Sequence, residues 1–308
     1  MKRPAFALLA LALTGCVVTR HATESSPIGT PSSSNAMIAL LDQPGPVTLE
    51  TIDSADWEVD RKGLINLRHP SAKAAGIRKG PEPIQVFFHV LRHPSEGTFL
   101  IDTGVELALR DDPNQAAVRG AVASFMKLEA MKFVMPLGEW IAAHEGEPIA
   151  GVFLTHLHLD HVTGMADVPA GTPVYSGPGE ASDKAFLHAF VRRSTDRSLA
   201  GKPALREWAF QGDPEGRFAG VLDVFGDGSV WALWVPGHTP GSTAFLVRTP
   251  EGPVLITGDA SHTRWGWEHD VEPGKFSADI PTSATSLARL RALVHEHPAI
   301  EVRLGHQR

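Results

Sequence analysis

The order of apolar and polar positions divides the chain into alternating β and helical stretches. "MIALL" (37–41) and "VTLETI" (47–52) read as short strands. Residues 84–104, "IQVFFHVLRHPSEGTFLIDTG", read as a hairpin: two β-branched or aromatic runs flank a Pro/Ser/Gly turn, and Gly104 closes the second run. Residues 121–135 read as a helix, with Val122, Phe125 and Met126 at helical spacing and Glu129 interrupting the stripe. "GVFLT" (151–155) is a buried strand, and 183–193 is helical. Residues 218–235 and 243–259 repeat the hairpin pattern. Residues 283–297 form an amphipathic helix with Leu287, Leu290 and Val294 on one face, and 299–306 make a last strand. Hairpins and helices alternating in two halves imply a mixed α/β architecture of stacked sheets with helices outside.

Composition narrows the picture at both ends. The chain has 308 residues, 43% of them hydrophobic, which fits one large domain or two small ones. A net charge of -7 argues against a nucleic-acid partner. The one cysteine, Cys16, excludes an internal disulfide and a cysteine-based zinc site in the body of the protein. Cys16 follows a basic start, Met1-Lys2-Arg3, a short apolar run and "LTGC". That arrangement resembles a bacterial lipoprotein signal, which implies removal of residues 1–15 and lipidation of Cys16. Val17 in the next place favours the outer membrane, so the expected location is the bacterial envelope, with the membrane touched through the lipid anchor alone. Residues 16–35, which include "TRHATESSPIGTPSSSN", are polar and read as a flexible tether. The folded domain is then 36–308.

The chemistry concentrates in "THLHLDHVTG" (155–164), directly after a predicted strand. In an extended turn His156 and His158 project to one side, whereas Asp160 and His161 are adjacent and do not share that geometry. One metal ion leaves donors over, and two would use them all. Further donors stand at other strand ends: His238 in "PGHTPGS", Asp259 in "ITGDA" and His306 in "RLGHQ", with Asp102 in "LIDTG". Imidazole and carboxylate are the donors that zinc takes, and the same set accepts manganese, iron or cobalt.

These motifs, in this order, resemble those of the metallo-β-lactamase-fold hydrolases, over roughly residues 84–308. The resemblance implies a four-layer αββα sandwich. It implies that His156, His158 and His238 hold one metal ion, that Asp160, His161 and His306 hold a second, that Asp259 bridges, and that Asp102 orients the ligands. The implied reaction is hydrolysis by a hydroxide bridging two divalent metals, zinc foremost, with Asp160 taking up the released proton. The cysteine of many true β-lactamases in this superfamily is missing, and the pattern is nearer to the lactonase and methyl parathion hydrolase group. The expected substrate is a small ester or lactone, with a phosphotriester as the alternative. A β-lactam, or metal binding without catalysis, stands further off.

One position departs from the acyl-homoserine lactonases, which carry a tyrosine three residues after the bridging aspartate. Here His262 stands there, and it is expected to contact the substrate oxygen. The 121–135 helix and the loop bearing Trp265 and Trp267, which share a face in extended chain, are candidate apolar walls. Arg264 and Arg303 read as single charges, with no basic cluster beside the metal motifs. The sequence carries no signal of oligomeric state.

Overall fold

A computed structural model of the chain describes residues 17–308. The signal segment and Cys16 lie outside them. Among the described residues, fourteen strands build two sheets. In chain order they are β1 (Thr23–Ser25), β2 (Thr30–Pro31), β3 (Thr48–Asp60), β4 (Pro81–His93), β5 (Gly97–Ile101), β6 (Lys132–Phe133), β7 (Ile149–Phe153), β8 (Val174–Ser176), β9 (Leu205–Glu207), β10 (Gly220–Asp223), β11 (Val230–Trp234), β12 (Thr243–Thr249), β13 (Gly252–Ile256) and β14 (Glu301–Arg303). The eight-stranded sheet runs β1-β9-β8-β7-β5-β4-β3-β6, and the six-stranded sheet runs β14-β13-β12-β11-β10-β2.

Strand alternation sorts the apolar side chains into three layers. Phe99, Ile101 and Phe153 of the first sheet meet Phe245, Val247 and Ile256 of the second, and the Phe153 and Phe245 rings stack 5.8 Å apart. Their neighbours Leu100, Val152 and Leu154 point to the other face, into a core beneath the first sheet's helices. On the second sheet Ala244, Leu246 and Leu255 turn outward against Leu290 and Leu293 of the helix Ile280–Glu296. Helices, sheet, sheet and helices therefore stack as the four-layer αββα sandwich that the sequence implied. Among the described residues no helix is long and apolar enough to cross a membrane.

Four local expectations change. Residues 17–35 are ordered against the domain: β1 pairs with β9, β2 pairs with β10, and Val18 is buried. The segment is poor in apolar side chains, but its backbone supplies the hydrogen bonds that two sheet edges lack. "MIALL" is not a strand. Ser33 caps a helix, Ser34–Ile38, through Ala36 N–H at 3.1 Å, and the buried Met37 and Leu41 recur at helical rather than alternating spacing. The 121–135 helix stops at Met126, because Lys127 takes a left-handed φ of 58°, and β6 follows. Trp265 and Trp267 sit in a short helix, Arg264–Glu268, started by Thr263 capping Gly266 N–H at 3.0 Å. At roughly 100° per residue they point apart, Trp265 to the first sheet's helical core and Trp267 to the second's.

Candidate metal centre

The centre gathers at strand ends on one rim of the sandwich. After β7 the chain bends at Thr155 and reaches His158 in extended conformation; Leu157 packs into the core between His156 and His158, which both join the donor group at the rim. A short helix, Leu159–Val162, then redirects Asp160 and His161. Asp102 follows β5 in a left-handed φ of 56°, Asp259 follows β13, and His306 follows β14. His238 lies in the turn between β11 and β12.

All seven predicted ligands converge in two groups. His156, His158, His238 and Asp259 form one, and Asp160, His161 and His306 form the other, with candidate donor atoms within 4.8 Å of one another in each. Asp259 faces both: its Oδ2 lies 3.6 Å from His156 Nε2 and 3.3 Å from His238 Nε2, while its Oδ1 lies 3.4 Å from His161 Nε2 and 3.3 Å from His306 Nε2. Asp160 Oδ2 is 3.4 Å from His306 Nε2. Donors about 2.1 Å from one tetrahedral ion stand roughly 3.4 Å apart, so these separations match the spacing that ligands of a shared cation would have.

Hydrogen bonding points the same way. The Nε2 atoms of His156 and His161 and Oδ1 of Asp259 are buried without any hydrogen-bond partner, which is costly unless a cation faces them. The ring nitrogens turned away from the centre are held: His161 Nδ1 by Asp102 Oδ2 at 2.8 Å, His306 Nδ1 by the Gln85 carbonyl at 2.8 Å, and His238 Nδ1 by Ser277 Oγ at 3.3 Å. Such contacts fix tautomer and ring orientation. Asp102 also accepts Thr155 N–H at 2.8 Å, so the orienting role expected of it has a geometric basis. Gly305 leaves room for the Asp259 carboxylate, since a Cβ there would come within 2.3 Å of Oδ1.

The charge state suits the same use. Burial holds His156 and His238 well below the ordinary histidine value and brings His158 down to about 4, so these three are neutral near pH 7. Burial opposes ionisation of Asp259, but His262, His306 and His161 outweigh it and keep the carboxyl well below its usual range. Asp160 is likewise lowered, against its burial, by the His306 hydrogen bond and the charge of His161. Burial works against a proton on His161 and His306 too, yet Asp259 and Asp102 raise the first well above its usual value, and Asp259 and Asp160 push the second up to about 10. Those two rings hold protons where a cation would otherwise balance the carboxylates.

Four residues stand differently from expectation or escaped it. His262 lies under the centre: it is 2% exposed, neither ring nitrogen reaches solvent, and Nε2 is 3.0 Å from Asp259 Oδ2. It borders the ligands rather than the open side, which belongs to half-buried His158 and to Asp160, whose side chain is 19% exposed. Arg264 and Arg303 are not isolated; with Arg308 they line a cavity of about 300 Å³, where Glu301 offsets Arg303 at 2.8 Å and Asp53 offsets Arg308 at 2.6 Å. Glu180, which sequence reasoning passed over, is buried and bonded to both histidine-bearing loops.

The chain thus joins an αββα sandwich to two His/Asp donor groups that meet at one carboxylate on its rim. Residues 81–306 match the family described as the Metallo-beta-lactamase superfamily, and the chain belongs to it. It is 32% identical over 162 residues to an N-acyl homoserine lactonase, AttM, of Agrobacterium fabrum, a match spanning 50% of this chain and 57% of that relative. The chain thus covers little more than half the length of that protein. An N-acyl homoserine lactonase of a Bacillus species is 30% identical over 220 residues, covering 70% of this chain and 79% of the relative. Among solved structures, AidC, a dizinc quorum-quenching lactonase in complex with a product, shares the fold with a TM-score of 0.56 at 13% identity, over 86% of this chain and 89% of that chain.

Proposed function

We propose that the protein is a hydrolase that opens a carboxylic ester or lactone at a centre of two divalent metal ions. The observation that carries this reading is Asp259, whose two carboxylate oxygens face separate donor groups while Asp160 and His158 leave one side open. His156, His158 and His238 would hold one ion, Asp160, His161 and His306 the other, and Asp259 both. Ions held there would acidify water and polarise the bond under attack.

The chain's own residues do the rest. Asp160, ionised and on the open side, would accept a proton as the bond breaks. Asp102 and the Gln85 carbonyl keep His161 and His306 turned inward. Apolar surface lies beside the open side. The helix Phe186–Ser198 packs on the ligand-bearing helix Leu159–Val162 and exposes Leu187 and Phe190, and the Phe190 ring meets Phe125 edge to face at 5.5 Å. Phe276, 46% exposed, adjoins Ser277, which contacts His238. Such surface suits an uncharged substrate with an apolar chain, in keeping with the activity named for the lactonase relatives.

The test is elemental analysis of the purified chain followed by hydrolysis assays on lactones, aryl esters, phosphotriesters and β-lactams. Close to two transition-metal ions per chain and the highest kcat/KM on a lactone or ester are expected. Full activity without metal would end the metal reading. Faster turnover of phosphotriesters or β-lactams would end the substrate reading.

A further inference from the structure

The loops that carry the first donor group are joined by a carboxylate that touches none of the donors. Glu180 is 1% exposed. Its Oε2 accepts the N–H of Leu157, the residue between His156 and His158, at 3.0 Å. Its Oε1 accepts the N–H of Gly241 at 2.8 Å and the hydroxyl of Thr239, the residue after His238. One side chain therefore binds three donors on two loops, and those loops supply His156, His158 and His238.

The backbone around Glu180 is pressed onto the same place. A Cβ at Gly177 would lie 1.6 Å from the Gly241 carbonyl oxygen, and one at Gly241 would lie 2.7 Å from Glu180 Cγ. Only glycine allows the chain entering Glu180 to cross the His238 loop so closely. Thr239 is fixed again by Ser242, whose Oγ accepts its N–H at 2.9 Å. Burial raises the Glu180 carboxyl to about 7, against the pull of its donors. A buried acid is costly, and a volume-filling residue would not need to be one. What the carboxylate supplies is acceptor capacity on both oxygens. An amide has one acceptor oxygen, so glutamine would turn an NH2 group toward Leu157 or toward Thr239 and Gly241.

We infer that Glu180 is a positioning residue for the first metal site, fixing the His156–His158 turn at the separation from His238 that a shared ion requires. The inference rests on reading that donor group as a metal site. It acts through backbone and a hydroxyl, with no contact to ion or substrate.

The experiment uses the full chain, stripped of metal and titrated with Zn²⁺ against a chromophoric chelator, and with Co²⁺ for its visible spectrum. Glu180→Gln should weaken one of two ions by about 10–100-fold, the range seen when groups that orient ligands are lost. The Co²⁺ bands of that ion should shift while those of the other stay, and kcat should fall more than KM changes. Thr239→Val, which removes a single donor, should move the same quantities in the same direction by less. It carries the test alone if Glu180→Gln does not fold. A folded Glu180→Gln chain that melts lower but binds both ions as the wild type does would reduce Glu180 to a structural residue and overturn the inference; so would wild-type affinities in Thr239→Val when the other variant is insoluble. A wild-type chain that takes up no ion would instead remove the metal reading itself.

Discussion

Asp102→Asn changes one atom of the centre's support and leaves the backbone almost undisturbed, since asparagine tolerates the left-handed φ of 56° about as well as aspartate does. The carboxylate now accepts Thr155 N–H on Oδ1 at 2.8 Å, and both the Thr155 hydroxyl and His161 Nδ1–H on Oδ2 at 2.8 Å each. An amide meets one side or the other. With its NH2 toward His161, the ring must accept at Nδ1 and carry its proton on Nε2, the atom that lies 3.4 Å from Asp259 Oδ1 and should donate its lone pair to a metal. With its oxygen toward His161, the NH2 faces Thr155 N–H, and a buried donor loses its partner at a cost of about 1–3 kcal/mol.

Either orientation weakens the second ion, by about 10–100-fold or roughly 1.4–2.7 kcal/mol, and leaves the first ion, whose donors do not touch Asp102, near wild-type affinity. Chelator competition on metal-free protein reads both constants separately. Two ions held at wild-type affinity by Asp102→Asn would refute the reasoning, because no orientation of the amide preserves all three contacts.

Raising the pH should strengthen metal binding between about 6.5 and 10, as His161 and His306, both held above their ordinary value, give up the protons that compete with the ions. Over the same window the metal-free chain should lose stability. A raised histidine stabilises fully below its unfolded value and ceases to do so as pH passes its folded value, near 10 for His306; melting curves with and without metal should therefore diverge, and parallel curves would contradict the assignment. His262→Ala should lower metal retention and kcat together, given Nε2 at 3.0 Å from Asp259 Oδ2, and a change in KM alone would restore it to the substrate-contacting role read from the sequence. Cys16→Ser should shift the protein from membranes to the soluble fraction if the lipoprotein reading holds, and an unchanged distribution would remove that reading.

What the sequence disclosed follows from where chemistry is written locally. The seven donors stand in short motifs at strand ends, and a strand's alternating pattern fixes which side chains leave its face, so His156 and His158 were legible beside Leu157 and Leu159. Stacked sheets with helices outside were legible from hairpins alternating with helices, and the four-layer αββα order followed from the family resemblance; in the fold Phe99, Ile101, Phe153 and Phe245 face between the sheets while their neighbours face the outer cores. The N-terminal segment was misread because its attachment is mostly main-chain: β1 and β2 pair through N–H and C=O groups that every residue carries, and polar composition does not reveal them. The depth of His262 escaped for a related reason, since a histidine beside a motif looks the same on the floor of a site as at its mouth. Glu180 had no signal at all, being a lone acid after a Pro/Gly turn whose three partners lie on two other loops. Residues that donate to a metal are chemically restricted and so leave motifs, whereas residues that place those donors act through peptide groups at long sequence separation, and only the folded chain brings them together.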